Sequence, residues 1–296
     1  MSQTTPPPAA LRKLDVLQTL SEAYGRVLAN LPLVARAALV PFLLSLALVA
    51  ASFATVESLP FTTLIVVLGF VPYTIFGIAW HRATLLGPAA GAPPLVPAWG
   101  QRHWRFLGYL AAVTLIGYGV TVMVFSIAFG VVQPGAEVTP RAWSVALVTG
   151  ALILAYVMMR LSFVFPAVAV DEAYRLKHSW THTKGQGLRL LGALVLTAIP
   201  MLALLWTASA LFGAFLFAEP AAPASSGSAV PEAQVEAFFA ENSVAIFVSQ
   251  VVLAALNYVL MALVVSVISI AFRNCTGWVP ALGGPPDLSP PSESAI

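Results

Sequence analysis

The sequence predicts an all-α fold: a polytopic membrane helix bundle of six transmembrane helices, with both termini on the cytoplasmic side. Three observations predict it. Six apolar stretches each exceed the ~20 residues that a helix needs to cross a ~30 Å hydrocarbon layer. Charged residues make up 9% of the 296-residue chain against 59% hydrophobic ones. A soluble domain carries about 25% charged residues, so this chain cannot coat a water-facing surface. Finally, lysine and arginine fall almost entirely on alternate loops, the asymmetry that orients membrane proteins.

Residues 1–10 (MSQTTPPPAA) form a polar, Pro-rich tail, read as disordered. Residues 11–32 carry Leu11, Leu14, Leu17, Leu20, Tyr24, Val27, Leu28 and Leu31 at three- and four-residue intervals, the stripe of an amphipathic helix. Arg12, Lys13, Asp15, Glu22 and Arg26 lie between them. A helix of this kind ahead of a span either lies in the membrane interface or packs on the bundle as a lead-in. The six-helix domain follows at 33–273, with spans at about 34–55, 61–86, 105–132, 142–169, 187–218 and 243–272. Pro72 and Pro200 fall inside the second and fifth spans and predict kinks, because each removes a backbone donor. Residues 274–296 are a second tail, read as disordered. Ala51-Ser52-Phe53-Ala54 could pass for a cleavage site, but the apolar run before it is longer than a secretory signal has. The first span is therefore expected to stay.

The loop charges set the orientation. One side carries Arg12, Lys13, Arg26, Arg36, Arg82, Arg102, Arg105, Arg175, Lys177, Lys184, Arg189 and Arg273, and the other carries Arg141 alone. Twelve of the 14 basic residues on one side mark that side as cytoplasmic. The expected location is the inner (cytoplasmic) membrane. A net charge of +2, spread over loops rather than gathered in a stripe, points away from nucleic acid. Anionic lipid headgroups are the partner such loops fit.

The spans also repeat. Arg82-Ala-Thr84 with Pro88-Ala89 lines up with Arg160-Leu-Ser162 with Pro166-Ala167, and Arg273 precedes Pro280-Ala281 by seven residues. Arg105-Phe-Leu-Gly108 matches Arg189-Leu-Leu-Gly192, each after a loop containing a tryptophan, Trp99 or Trp180. This reads as three helical hairpins, all entered from the basic side and hence parallel rather than inverted.

Arg160 is the residue the bilayer makes costly, about 2.5–3.5 kcal/mol on insertion scales. It either faces the bundle interior, with Tyr73 or Asn257 at comparable depth, or snorkels toward headgroups on its long stem. Within the polar 171–189 loop, His178 and His182 stand at i and i+4 and could share a metal with Asp171 or His103. A metal site needs three or four convergent ligands, so none is expected, and no cofactor is expected either. The loop reads instead as a basic interfacial segment, with Arg82, Arg160, Arg175, Lys177, Trp180, Lys184 and Arg189 as its lipid or solute contacts. No phosphate-binding loop, nucleophile elbow, zinc-protease helix or dinucleotide fingerprint is present. The spans contain no carboxylate, which weighs against proton- or cation-coupled transport.

The stretch RLSFVFPAVAVDEAYRLKHSWTHTKGQGLRLLGAL resembles a bacterial group, the membrane-domain family of glycerophosphoryl diester phosphodiesterase. Arg160, Ser162, Pro166, Ala167, Ser179, Trp180, Lys184 and Gly185 carry the likeness. The resemblance implies a six-helix membrane fold. In fused members of that family the phosphodiesterase chemistry belongs to a separate soluble domain, so it implies no catalytic residue here. The expected role is a non-enzymatic scaffold or organiser of membrane lipid or envelope components. The alternative is a permease for a small or anionic solute that uses Arg160 and the proline-broken spans.

Overall fold

A computed structural model describes residues 13–53, 59–91, 98–130, 140–216, 237 and 241–280. The chain runs α1 (Val16–Ala29), α2 (Leu31–Phe53), α3 (Leu59–Leu68), α4 (Phe70–Leu86), α5 (Pro88–Gly91), α6 (Gln101–Gly130), α7 (Pro140–Leu161), α8 (Val164–Ala169), α9 (Leu176–His182), α10 (Gly187–Leu216) and α11 (Ser243–Thr276). Among the described residues there is no strand. Six stretches are long and apolar enough to cross a membrane: Leu31–Ser52, Pro60–Leu86, Gln101–Ser126, Leu147–Ala169, Gly187–Ala214 and Ser243–Thr276. They follow the six apolar segments read from the sequence. The tail read at 1–10 lies outside the described residues, as does 281–296 of the tail read at 274–296; the start of that second tail is ordered, since α11 continues to Thr276 and Trp278 Nε1 donates to Glu172.

Two spans break just ahead of a proline. The second span divides into α3 and α4 at Gly69, three residues before Pro72, and the fourth into α7 and α8 at Ser162–Phe163, before Pro166. A proline lacks the N–H that would bond the carbonyl four residues back, and its ring crowds that carbonyl. Pro41 and Pro200 sit inside α2 and α10, which each remain one helix. The fifth span thus runs through Pro200 as a single helix, Gly187–Leu216.

The core gathers around α4, α8 and α11. Phe76 and Trp80 of α4 pack with Tyr258 and Ala262 of α11 and with Val34, Ala37 and Ala38 of α2. Trp80 Nε1 donates to the Ala262 carbonyl and to Ser266 Oγ, both at 2.9 Å, and His81 Nδ1 lies 2.7 Å from Ser269 Oγ. α8 is buried almost throughout; Val164, Ala167, Val168 and Ala169 are at 0% exposure. At Gly77 a Cβ would come within 2.9 Å of the Phe106 ring, so this glycine lets α6 close on α4.

α1 packs on the bundle. Asp15 caps it, accepting from the Gln18 amide at 2.9 Å. Ala23 meets Ala193 of α10 and Val267 and Ile270 of α11, while Val27 joins the cluster around Trp80. Glu22 accepts from Arg273 Nη2 at 2.7 Å and from Arg26 Nη2 at 3.3 Å. These are partly exposed pairs, worth about 0–1 kcal/mol each. The buried Leu14 and Val27 side chains, at roughly 1.5–3 kcal/mol apiece, hold the helix more firmly. Leu17 and Leu28, on its other side, stay exposed.

The packing of α1 generates a first prediction. Ala193→Leu overfills the three-helix contact and lowers stability by about 1–3 kcal/mol. The check is a lower melting temperature in detergent, with no such shift for Leu115→Ala on the exposed face of α6.

Candidate functional site

The site is the end of the bundle where α7, α8, α9 and the start of α10 meet, built around the break before Pro166. At that break the helix fails to close its own hydrogen bonds, and α9 closes them instead. Phe163 N donates to Ser179 Oγ at 3.1 Å, and Ser179 Oγ donates to the Arg160 carbonyl at 2.8 Å. Thr183 Oγ1 also reaches the Arg160 carbonyl, at 3.2 Å. Both hydroxyl residues are at 0% exposure, one helical turn apart on the same face of α9. Two short side chains thus complete the backbone that the break leaves open, the Phe163 amide and the Arg160 carbonyl.

Arg160 lies in this joint at 7% exposure. Its Nε donates to Thr183 Oγ1 at 2.8 Å, Nη1 to the Tyr156 hydroxyl at 3.0 Å and Nη2 to the Trp180 carbonyl at 2.5 Å. The guanidinium carbon stands 4.2 Å from the Trp180 ring centroid and 5.8 Å from that of Tyr156, within range for cation–π attraction. The guanidinium is therefore held by neutral acceptors and aromatic faces. Of the two alternatives read from the sequence this is the interior one, but the partners are neither Tyr73 nor Asn257. The physical reason is that the loop after α8 folds back over the break and brings its own acceptors. Gly187, at the start of α10, leaves the room required, since a Cβ there would sit 2.7 Å from the Tyr156 ring and 2.9 Å from Arg160 Cδ.

The turn that returns the chain from α8 to α9 is fixed by charge. Asp171 has φ 64°, a left-handed backbone that few residues other than glycine adopt. Its carboxylate is bonded by both Arg102 Nε, at 2.8 Å, and Arg102 Nη2, and lies 3.9 Å from Arg82 Nη1. Arg82 Nη1 also donates to the Ala169 carbonyl at 3.1 Å. Next to it, Glu172 accepts from Trp278 Nε1 at 2.8 Å through its side chain and from Arg105 Nη2 at 3.2 Å through its carbonyl.

The histidines serve packing rather than a shared ligand. Tyr174 stacks on His182 with ring centroids 5.7 Å apart and meets His178 edge-on at 5.5 Å. Its hydroxyl is 2.7 Å from His182 Nδ1. His178 Nδ1 accepts from the Arg175 amide at 3.3 Å, and His103 Nδ1 accepts from the Gly100 amide at 3.2 Å, stacked on Trp99. Among the described residues no three of His, Cys, Asp and Glu converge as metal ligands. Burial lowers the pKa of His182, with neighbouring His178 adding to the effect. Burial raises that of Tyr174.

The remaining predicted contacts divide in two. Arg189 Nη1 donates to the Leu14 carbonyl at 3.0 Å, while the Leu14 amide donates to Gln186 Oε1 at 3.2 Å, so this end of α10 is stitched to α1. Arg175, Lys177 and Lys184 are exposed, and their charged ends make no hydrogen bond or ion pair among the described residues. Trp180 is 43% exposed beside them. Sequence reasoning missed the structural roles of Ser179, Thr183, Tyr156 and Tyr174. It also missed His81, a buried histidine within a span. The signal for the first two was present: two hydroxyl residues at i and i+4, flanking Trp180, opposite the side that exposes Lys177 and Lys184.

Fold and site together define a class, the multi-pass α-helical membrane protein with a structured loop region at one end. Comparison with known protein families, with curated proteins and with solved structures gave no match.

Two outcomes follow from this geometry. Ser179→Ala leaves the Phe163 amide and one bond of the Arg160 carbonyl unfilled, at a cost of about 1–3 kcal/mol. Trypsin cleavage after Lys177 and Lys184 should speed up accordingly, and an unchanged rate would show that α9 is held by something else. Because the fold keeps His182 less basic than the unfolded chain does, the folded state binds fewer protons. Its stability contribution is complete above the ordinary value of about 6.5 and declines as pH falls below it. Melting temperature should thus drop from pH 7.5 to pH 5, by less in His182→Phe.

Proposed function

We propose that this protein is a non-enzymatic inner-membrane scaffold that organises lipid or envelope components through anionic headgroups at its basic end. One observation carries the reading: the division of labour among the cations. Arg26, Arg82, Arg102, Arg105, Arg160, Arg189 and Arg273 all make contacts within the chain. Lys13, Arg36, Arg175, Lys177 and Lys184 make none among the described residues. Three of these five fall within ten residues, next to a half-exposed tryptophan of the kind that favours the headgroup layer. A positive side chain near an anionic membrane surface contributes about 1 kcal/mol.

The basic end is read as cytoplasmic on the one-sidedness of the arginines and lysines, and the six spans as three parallel hairpins on the matching Arg, Pro-Ala and Arg-x-x-Gly positions. The likeness of residues 160–194 to the phosphodiesterase membrane-domain family agrees with this reading. The matched Arg160, Pro166, Ser179 and Trp180 lie in or beside one joint, which supports a folding role for the pattern. The permease alternative loses support at Arg160, whose three kinds of nitrogen are engaged by Thr183, Tyr156 and Trp180. An enzyme reading loses support because His103, Asp171, His178 and His182 have separate partners.

The test is lipid preference of the full chain in mixed micelles of phosphatidylglycerol and phosphatidylcholine. Arg175→Ala with Lys177→Ala and Lys184→Ala should reduce the preference for phosphatidylglycerol by about 3 kcal/mol at low salt, taking about 1 kcal/mol per charge. High salt should shrink the wild-type preference. A triple variant with the wild-type preference would end this reading.

A further inference from the structure

The opposite end of the bundle holds a second feature, on α2. From Phe42 onward no described residue of α2 is buried, although Val34, Ala37, Ala38 and Pro41 are. In the far half of α2 the Ser45 hydroxyl is hydrogen-bonded to that of Tyr258 on α11, 2.9 Å away. Beyond that bond the helix stands between two clefts. One, of about 200 Å³, lies against α3 and α4 beside Gly69 and Tyr73. The other, of about 280 Å³, lies against α11 and is lined by Leu46, Val49, Ala50, Ile246, Phe247 and Gln250.

The α2–α11 cleft combines two properties. Its walls are hydrocarbon apart from Gln250 and Ser243, and it lies between two membrane-crossing helices, so it is continuous with the lipid-facing surface. At the same time the Gln250 carboxamide is exposed within a span and makes no hydrogen bond to any described residue. A polar group in that medium requires a partner, since bulk water is absent. Seven residues separate Gln250 from Ser243, about 10 Å along the helix. A helix of 34 residues is about 51 Å long and, centred, exceeds a ~30 Å hydrocarbon core by about 10 Å at each end. That depth is where hydrocarbon gives way to headgroup, the level of the glycerol esters. An ester carbonyl is an acceptor for the amide N–H, and the chain attached to it is the apolar filling the walls accept.

We propose that the α2–α11 cleft binds one phospholipid of the leaflet opposite the basic end. Gln250 donates to an ester carbonyl, and the upper methylenes lie between Leu46, Val49 and Phe247. One chain then continues along the exposed flank of α2 past Leu43 and Leu39. The site is independent of the cationic face on α9, which lies at the other end of the molecule.

The test counts retained lipid. Full-length protein is reconstituted in vesicles of phosphatidylethanolamine and phosphatidylglycerol, extracted in mild detergent and weighed by native mass spectrometry under increasing activation. Wild type should keep one phospholipid per chain after the rest are stripped. Ala50→Trp, which fills the cleft, should keep none, and Leu115→Trp on α6 should keep it. Gln250→Leu should lower retention about threefold to tenfold, the range of one hydrogen bond in a membrane. Should Ala50→Trp not fold, Gln250→Leu decides alone. The alanine variants of Arg175, Lys177 and Lys184 should retain this lipid unchanged, which separates the two ideas. Equal retention by wild type and the cleft variants overturns the proposal, as does a two-chain mass without lipid, which would make a second copy the occupant.

Discussion

The joint before Pro166 is the constraint on which the rest of this end of the molecule depends. A break in a membrane-crossing helix strands an amide and a carbonyl where water cannot reach them. Here Ser179 and Thr183 reach both, and to do so α9 must fold back against the end of α7. Once α9 is in that position, the carbonyl of Trp180 and the hydroxyl of Thr183 become the acceptors for Arg160. The arginine charge, costly in a span, then has its bonds and an aromatic lid.

That arrangement determines what faces outward. With Ser179 and Thr183 turned in, the helical period turns Lys177 and Lys184 away from the protein, and Arg175, the residue that caps α9, is exposed beside them. The charged turn at Asp171 and the bonds from Glu172 to Trp278 and Arg105 keep the strand of chain ahead of α9 from shifting. Arg189 and Gln186 then pin α1 across the start of α10. A hydrogen-bonded joint closed around Arg160 thus leaves a cationic surface outside. At the far end of the bundle α2 meets α11 through the Ser45–Tyr258 hydroxyl pair.

The sequence was most informative where a simple medium sets the rule. A hydrocarbon layer demands long apolar helices, and the six spans were legible from length and hydropathy alone. The stripe of residues 11–32 was equally plain, but which surface it covers was not: Ala23 and Val27 are small and apolar enough for either a membrane interface or a helix contact. Pro72 marked a break correctly, whereas Pro200 lies in a helix that continues, and nothing in the local residues separates the two cases. Arg160 was recognised as exceptional, but its partners lie 20 and 23 residues along the chain, a closure that spacing does not reveal.

What the sequence alone determined is the class: an all-helical chain with six stretches that only a bilayer suits, because no water-soluble surface can be made from so few charges. Its basic loops were visible too, as a pool of candidates without ranking. Only the tertiary structure decided which cations are engaged within the protein and which remain free. The reason is geometric. Whether a guanidinium meets a carbonyl or a membrane depends on where the backbone breaks and how the following loop returns, and those contacts join residues from α1, α4, α6, α7, α9 and α11 that no local pattern connects.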